Sequence, residues 1–253
     1  MSFARYALRH TAVQALMGAT KFGENVFNSD FEAFDISSDG SVRTSKDRPF
    51  ILIYTDDSVF SDTDRIDLWQ NGVVDFVIEF GIAQAMTETD PDTAESNIIG
   101  FSIPPTDAAM EVALDVVGRQ IATALQGASQ WAELWRSMAS GMAKLEHQRA
   151  TLNDNGTRMA ARQIRIALNV LTDPVYQAPL ADGSVWKRFE TAVAGTDAEE
   201  ITAMMLGTLN TELSFEDIRA RYGLSNAASD ALSQTVLTDI GDTIAGSDTV
   251  HNG

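Results

Sequence analysis

The chain contains no cysteine, and that one absence removes disulfide bridges, zinc–thiolate centres and thiol nucleophiles together. Basic residues are scarce: 18 Lys and Arg stand against 36 Asp and Glu, a formal net charge of -18. So acidic a protein lacks the clustered cations that grip nucleic-acid phosphates. The 3 histidines, His10, His147 and His251, lie far apart with no H-E-x-x-H spacing, so each reads as a surface residue rather than a metal ligand. The phosphate-cradling G-x-x-x-x-G-K-[ST] and G-x-G-x-x-G patterns and the nucleophile elbow G-x-S-x-G are also missing. No stretch approaches the ~20 consecutive apolar residues of a membrane helix. The N-terminal MSFARYALRHTAVQAL is broken by Arg5, Arg9 and His10, so no secretory leader is expected. These absences point to a soluble protein made in a cytoplasm, with no membrane partner, no metal and no cofactor.

What remains is ample for a folded protein. Hydrophobic residues make up 44% of 253 positions, enough to bury one large core or two small ones. The acidic excess is uneven. Residues 51–110 hold one basic residue against twelve acids and 176–253 hold four against twelve, whereas 1–50 and 111–175 are nearly balanced. Solvated loops account for such zones most simply.

Residues 4–19 place Leu8, Ala12, Leu16 and Ala19 on one helical face. ENVFNSD (24–30) predicts a short strand, and DISSDGSVRTSKDR (35–48) reads as a loop. Phe50 to Tyr54 is a short continuous apolar run after Pro49, the pattern of a strand covered on both faces. It runs into Thr55-Asp56-Asp57, which reads as a strand exit feeding an acidic loop. Paired carboxylates at a strand end can also hold Mg²⁺ or divide acid and base roles, so Asp56 and Asp57 are the best enzyme candidates, on a weak pattern. Asn71-Gly72 is a hairpin-type dipeptide. Val74, Phe76, Ile78, Phe80 and Ile82 then alternate with a mixed set, predicting a long strand.

TETDPDTAESN (87–97) reads as an acidic loop, and Thr106 as an N-cap. Met110, Leu114, Val117, Ile121 and Leu125 predict one helix; Trp131, Leu134, Trp135, Met138 and Met142 predict a second, its tryptophans serving as core anchors. After a turn at NDNGT (153–157), Ile164, Ile166, Leu168 and Val170 alternate in a strand ending at Asp173-Pro174. The order argues for an α+β fold: a mixed, largely antiparallel sheet with helices packed on one side. Residues 176–253 read as a helical C-terminal extension, with short helices at 186–193, 199–209, 215–222 and 227–237 and a mobile tail. SFEDIRARYGLS (214–225) faintly suggests the start of a helix-turn-helix, but no basic recognition helix follows.

Taken in order, LRHTAVQAL, NVFNSD, RPFILIYTDD, VVDFVIEFGIAQA, the helix after PPTD and NGTRMAARQIRIALNVLTDP resemble the tail terminator (minor tail) proteins of long-tailed bacteriophages. The resemblance covers residues 1–175 as one α+β domain; 176–253 departs from it. It implies a structural virion protein, not an enzyme, forming a ring, usually a homohexamer, on the head-proximal end of the tail tube. The ring stops tube polymerisation and provides the docking surface for head completion or neck proteins. It forms in the host cytoplasm and stays in the virion, and genomic DNA passes its lumen without specific binding. A ring needs two complementary patches per subunit. The acidic zone with Asp56 and Asp57 and the basic strand with Arg158, Arg162 and Arg165 are candidates to face each other across subunits; the alternative is pairing within one subunit. An acidic lumen would also repel DNA phosphates. The competing readings are a neck or head–tail completion protein and, less favoured, an acidic metal-dependent enzyme or cellular binding module.

Overall fold

A computed structural model describes residues 2–29, 35–36, 42–43, 48–61, 67–83, 86–89, 91, 94–99, 101, 106–154 and 157–208, the backbone alone at 35–36, 42–43, 83, 150–154 and 157–159. Helix α1 (Phe3–Leu16) opens the chain. Ser2 caps it by accepting from the Arg5 N–H, and Phe3, Ala7, Leu8, Ala12 and Leu16 bury one stripe. Strands β1 (Val26–Asn28), β4 (Phe50–Val59), β5 (Val73–Ala83), β8 (Ala139–Asp154) and β9 (Thr157–Val170) form one sheet in the order β1-β4-β5-β9-β8. Only β1 and β4 run parallel. The fold is therefore α+β with a mixed, mostly antiparallel sheet, as the pattern predicts. Two small ladders stand apart: β2 (Asp35–Ile36) with β3 (Val42–Arg43), and β6 (Thr87–Thr89) with β7 (Ser96–Ile98).

Register decides which residues face the helices. Ile53, Ile78, Ile164 and His147 lie side by side across four strands, as do Thr55, Phe76, Ile166 and Leu145. Helices α1, α2 (Asp107–Leu125) and α3 (Gln130–Ser137) cover this face. Met110, Leu114, Val117, Ile121 and Leu125 of α2 are all buried, each contributing ~1.5–3 kcal/mol on leaving water. Thr106 and Ser129 cap α2 and α3 through the Ala109 and Ala132 N–H groups. Helices α4 (Val185–Val193) and α5 (Ala198–Leu206) follow near the predicted positions. Trp186 and Phe189 of α4 pack edge-on against Phe3, so α4 shares its core with α1 and the sheet. The expected helices at 215–222 and 227–237, and the tail beyond them, lie outside the described residues.

Four expectations need correction. The second helix ends at Ser137 with a C-cap at Met138, and Met142 lies on β8, a sixteen-residue strand that carries no clear alternation. Thr55-Asp56-Asp57 is not a strand exit: β4 continues to Val59 through a bulge between Thr55 and Ser58. The 87–97 segment is closed by the β6–β7 pairing rather than being all loop, and 35–48 holds the β2–β3 ladder. The turn expected at NDNGT agrees with the register and joins two long strands, since Asp154 pairs with Thr157; Asn155 and Gly156 lie outside the described residues.

Candidate functional site

The bulge in β4 gathers most of the charge that the sequence singles out. Thr55 pairs with Phe76 and Ser58 with Val74, so Asp56 and Asp57 together oppose the single residue Asp75. Two arginines of α1 hold the kink. Arg5 donates Nε–H to Thr55 Oγ1 at 3.2 Å and Nη2–H to the Thr55 carbonyl at 3.0 Å, and it also donates to the Asp56 carbonyl. Arg9 donates to Thr55 Oγ1 at 2.8 Å and to Asn28 Oδ1 at 3.0 Å, tying β1 to the same point. Burial and the neighbouring Arg5 charge pull the Arg9 guanidinium below its ordinary pKa.

Arg165 lies beside these carboxylates on the sheet face away from the helices. Its guanidinium meets Asp75 Oδ2 at 2.5 Å and Asp56 Oδ2 at 3.3 Å. The hydrogen bond to Asp75 raises its pKa, and the Asp56 and Asp57 charges add to that. Asp57 is exposed. Farther along the same face, Tyr54 Oη and Gln163 Nε2 both donate to Glu79 Oε1 at 2.6 Å. Burial and the Glu79 carboxylate push the Tyr54 hydroxyl well above its ordinary range.

Arg162 points the other way, as its register opposite Phe80 requires. There it meets Asp115 Oδ1 at 2.5 Å and Glu111 Oε2 at 3.0 Å, and Arg149 joins Glu111 at 2.7 Å. Burial works to raise the Glu111 pKa, but the hydrogen bonds from Arg162 and Arg149 outweigh it and hold the carboxyl below its usual range. Of the five singled-out residues, Asp56 and Arg165 therefore meet, within one chain. Arg162 sits on the opposite face, and Arg158 lies on β9 with its side chain outside the described residues.

One carboxylate escaped the sequence reading except as a strand stop. Asp173 is 8% exposed and accepts four hydrogen bonds: from Ser2 Oγ, Phe3 N and Asn71 Nδ2 at 2.8 Å, and from Ala4 N at 2.9 Å. It is an anion seated on the N-terminus of α1, where unpaired N–H groups and the helix dipole favour negative charge. The histidines divide differently from expectation. His147 is exposed, but His10 packs against the rings of Tyr6, Trp131 and Phe189, and burial lowers its pKa.

Between α2 and β8 runs a groove. Ile121, Leu125, Trp135, Met142, Leu145 and Leu168 line its apolar end, a hollow of about 390 Å³. It continues past Gly118 into a second hollow of about 540 Å³ beside Arg119, His147 and Arg149. Among the described residues no group of three or more His, Asp or Glu side chains is placed to hold a metal ion, and no helix is long and apolar enough to cross a membrane. No protein-family model matches this chain, and no curated protein matches it at a significant level.

Proposed function

We propose that this chain is a structural subunit of a phage-tail ring, of the tail terminator type, which caps the head-proximal end of the tail tube and presents a surface to the neck. The observation that carries the reading beyond the resemblance is a pair of unlike, unpaired surfaces on one subunit. Val59 and Phe60 where β4 ends, and Leu68 shortly before β5, are exposed, the last 91%, and we take them as one apolar tip. Elsewhere, β8 is a long edge strand, bonded on one side only among the described residues. Monomers blunt or cover such edges, and exposed apolar patches mark contact surfaces. Two different patches suit the head-to-tail contacts of a closed ring.

Because Arg165 is already held by Asp75 and Asp56, and Arg162 by Glu111 and Asp115, the subunit contact in this proposal lies on the tip and the edge rather than on those ion pairs. The excess of acids leaves a negative lumen that would let DNA slide. The test is tail-tube protein polymerised with and without this chain and imaged by negative stain. Shortened tubes with a ring at one end support the reading. Unchanged, uncapped tubes with both proteins folded refute it.

A further inference from the structure

We propose that residues 174–208 form a clasp that opens as one unit, latched onto α1 by Phe189 and released when His10 takes up a proton. The segment closes on itself. The Gln177 N–H donates to the Leu206 carbonyl at 2.7 Å, and Gly207, at φ +71, lies so near Tyr176 that a Cβ would come within 2.5 Å of its ring. Among the described residues, the backbone hydrogen bonds seen from Pro174 to Thr208 join residues of that segment to one another. Asp173, just before it, is tied to Trp69 and to α1 instead. A segment bonded to itself through its backbone and to its surroundings through side chains is the kind of unit that opens locally.

Phe189 is the centre of the latch. It is fully buried and meets Phe3, Tyr6 and His10 edge-on, with ring centroids 5.8, 6.2 and 5.9 Å away. Those three residues recur at i, i+3 and i+7 along α1, and Trp186, Phe189 and Val193 repeat the spacing on α4, so two helical stripes meet. The other joints among the described residues are side-chain bonds. Arg188 reaches Glu133 Oε1 and Ser137 Oγ, each at 3.2 Å, and Tyr6 Oη donates to the Ala198 carbonyl at 3.5 Å.

His10 is the member of the latch that titrates near neutral pH. Its ring packs against Trp131 of α3 at 5.7 Å as well as against Tyr6 and Phe189. The charged groups of the packing helices are engaged elsewhere: Arg5 and Arg9 with Thr55, Glu133 with Arg188, Arg136 with the Leu125 and Gly127 carbonyls, and Lys187 with Glu190. Tyr6 keeps its proton, since burial raises its pKa. The described residues thus place no carboxylate on the imidazole, and burial lowers its pKa. A proton that the closed form resists binds freely once the clasp opens. Closing is therefore favoured above the ordinary histidine value of ~6.5 and weakens as pH falls below it. Opening uncovers Phe3, Tyr6 and Phe189 together, an aromatic surface of the kind that contact sites use. This inference goes beyond the ring reading and does not depend on it.

The test is amide hydrogen exchange of the full chain, read by mass spectrometry and divided by the intrinsic rate at each pH. Peptides over 185–206 should exchange together. Their opening should rise severalfold between about pH 7.5 and pH 5.5, with about tenfold the ceiling for one histidine kept wholly unprotonated when closed. Peptides over 73–83 should not follow. His10→Phe keeps a ring and removes the titration, so 185–206 should lose its acid response; His10→Gln answers the same question if the phenyl ring packs poorly. Phe189→Ala should raise opening at both pH values by about a hundredfold or more, again without moving 73–83. Acid-independent exchange of 185–206, or an acid response retained in either folded His10 variant, overturns the proposal. So does exchange of 185–206 that rises only together with 73–83, which would make the segment part of the global core.

Discussion

Replacing Asp173 by Asn keeps the shape of the side chain and removes what its site uses. The carboxylate accepts Ser2 Oγ, Ala4 N and Asn71 Nδ2 on one oxygen and Phe3 N on the other. A carboxamide can keep the first set, but its NH₂ would then face the Phe3 N–H. A buried donor left without an acceptor costs ~1–3 kcal/mol. Losing the negative charge at the α1 N-terminus adds ~0.3–1 kcal/mol, up to ~2 in partly buried geometry. The total is about 1.3–4 kcal/mol, up to ~5 at the buried limit. Ser2→Ala, which removes the N-cap but leaves the anion, should cost ~1 kcal/mol. Urea unfolding is the assay. With a slope of ~2 kcal/mol/M, Asp173→Asn should lower the midpoint by about 0.7–2 M at unchanged slope. A midpoint shift of Asp173→Asn no larger than that of Ser2→Ala would refute the claim that this anion anchors α1.

Arg5→Met should remove three hydrogen bonds from the β4 bulge and cost ~1.5–3 kcal/mol, since the donor is charged; amide hydrogen exchange should rise at 54–58 and stay unchanged at 164–168. Gly72 has φ +60, and a Cβ there would lie 2.2 Å from the Val59 carbonyl oxygen, whereas Gly183 at φ +73 has open space. Gly183→Ala should therefore cost ~1–2 kcal/mol for the left-handed backbone alone, and Gly72→Ala ~1–3 kcal/mol more for the clash, read by thermal denaturation. Glu111 is held below its ordinary pKa by Arg162 and Arg149. Its contribution is present above the unfolded value of ~4.3 and is lost as pH falls through the lower folded value. Glu111→Gln should flatten the fall of stability below about pH 5; an unchanged pH profile would remove the Arg–Glu–Arg arrangement from the account of stability.

The parts of this fold legible in the sequence are those in which every residue answers to its immediate surroundings. Strand β5 alternates because the Phe76 side meets helices and the Asp75 side does not, and α2 spaces its buried residues by helical turns. Strand β8 was illegible because it is an edge. Met138, Met142 and Leu145 fall at helical spacing, while Lys144, Glu146 and His147 break any alternation. The bulge at Asp56 was illegible for another reason. A polar triplet after an apolar run reads as an exit, and only Arg5 and Arg9, some fifty residues earlier, turn it into a held kink. Likewise Asp173 can be read locally as a stop before Pro174, but its role as an anchor depends on Ser2, Phe3 and Ala4 about 170 residues away. The candidate interface shows the same limit. Residue identity set the acidic zone with Asp56 and Asp57 against Arg158, Arg162 and Arg165 and left open whether they meet across subunits or within one; of these, Asp56 and Arg165 meet inside one chain.

That pairing bears on how subunits of this charge could associate. Lys144, Arg149, Arg162, Arg165, Lys187 and Arg188 each pair with a carboxylate of the same chain. With six of its 18 basic residues so engaged among the described residues, and 36 acids against those 18 in all, the chain has little positive charge to set against a net charge of -18 in a neighbour. Copies therefore repel at long range, and attraction must come from short-range contacts, such as the Val59, Phe60 and Leu68 tip and backbone bonding at the β8 edge. Salt distinguishes this from an ion-paired ring. The Debye length falls from ~10 Å at 0.1 M to ~3 Å at 1 M, which screens the repulsion and leaves apolar and backbone contacts in place. Sedimentation of the purified chain at fixed concentration should accordingly show more assembled species as sodium chloride rises from 50 to 500 mM, a range of about tenfold chosen to span that screening. Dissociation with rising salt would mean that charge pairs hold the copies together, and the tip-and-edge assignment would fall.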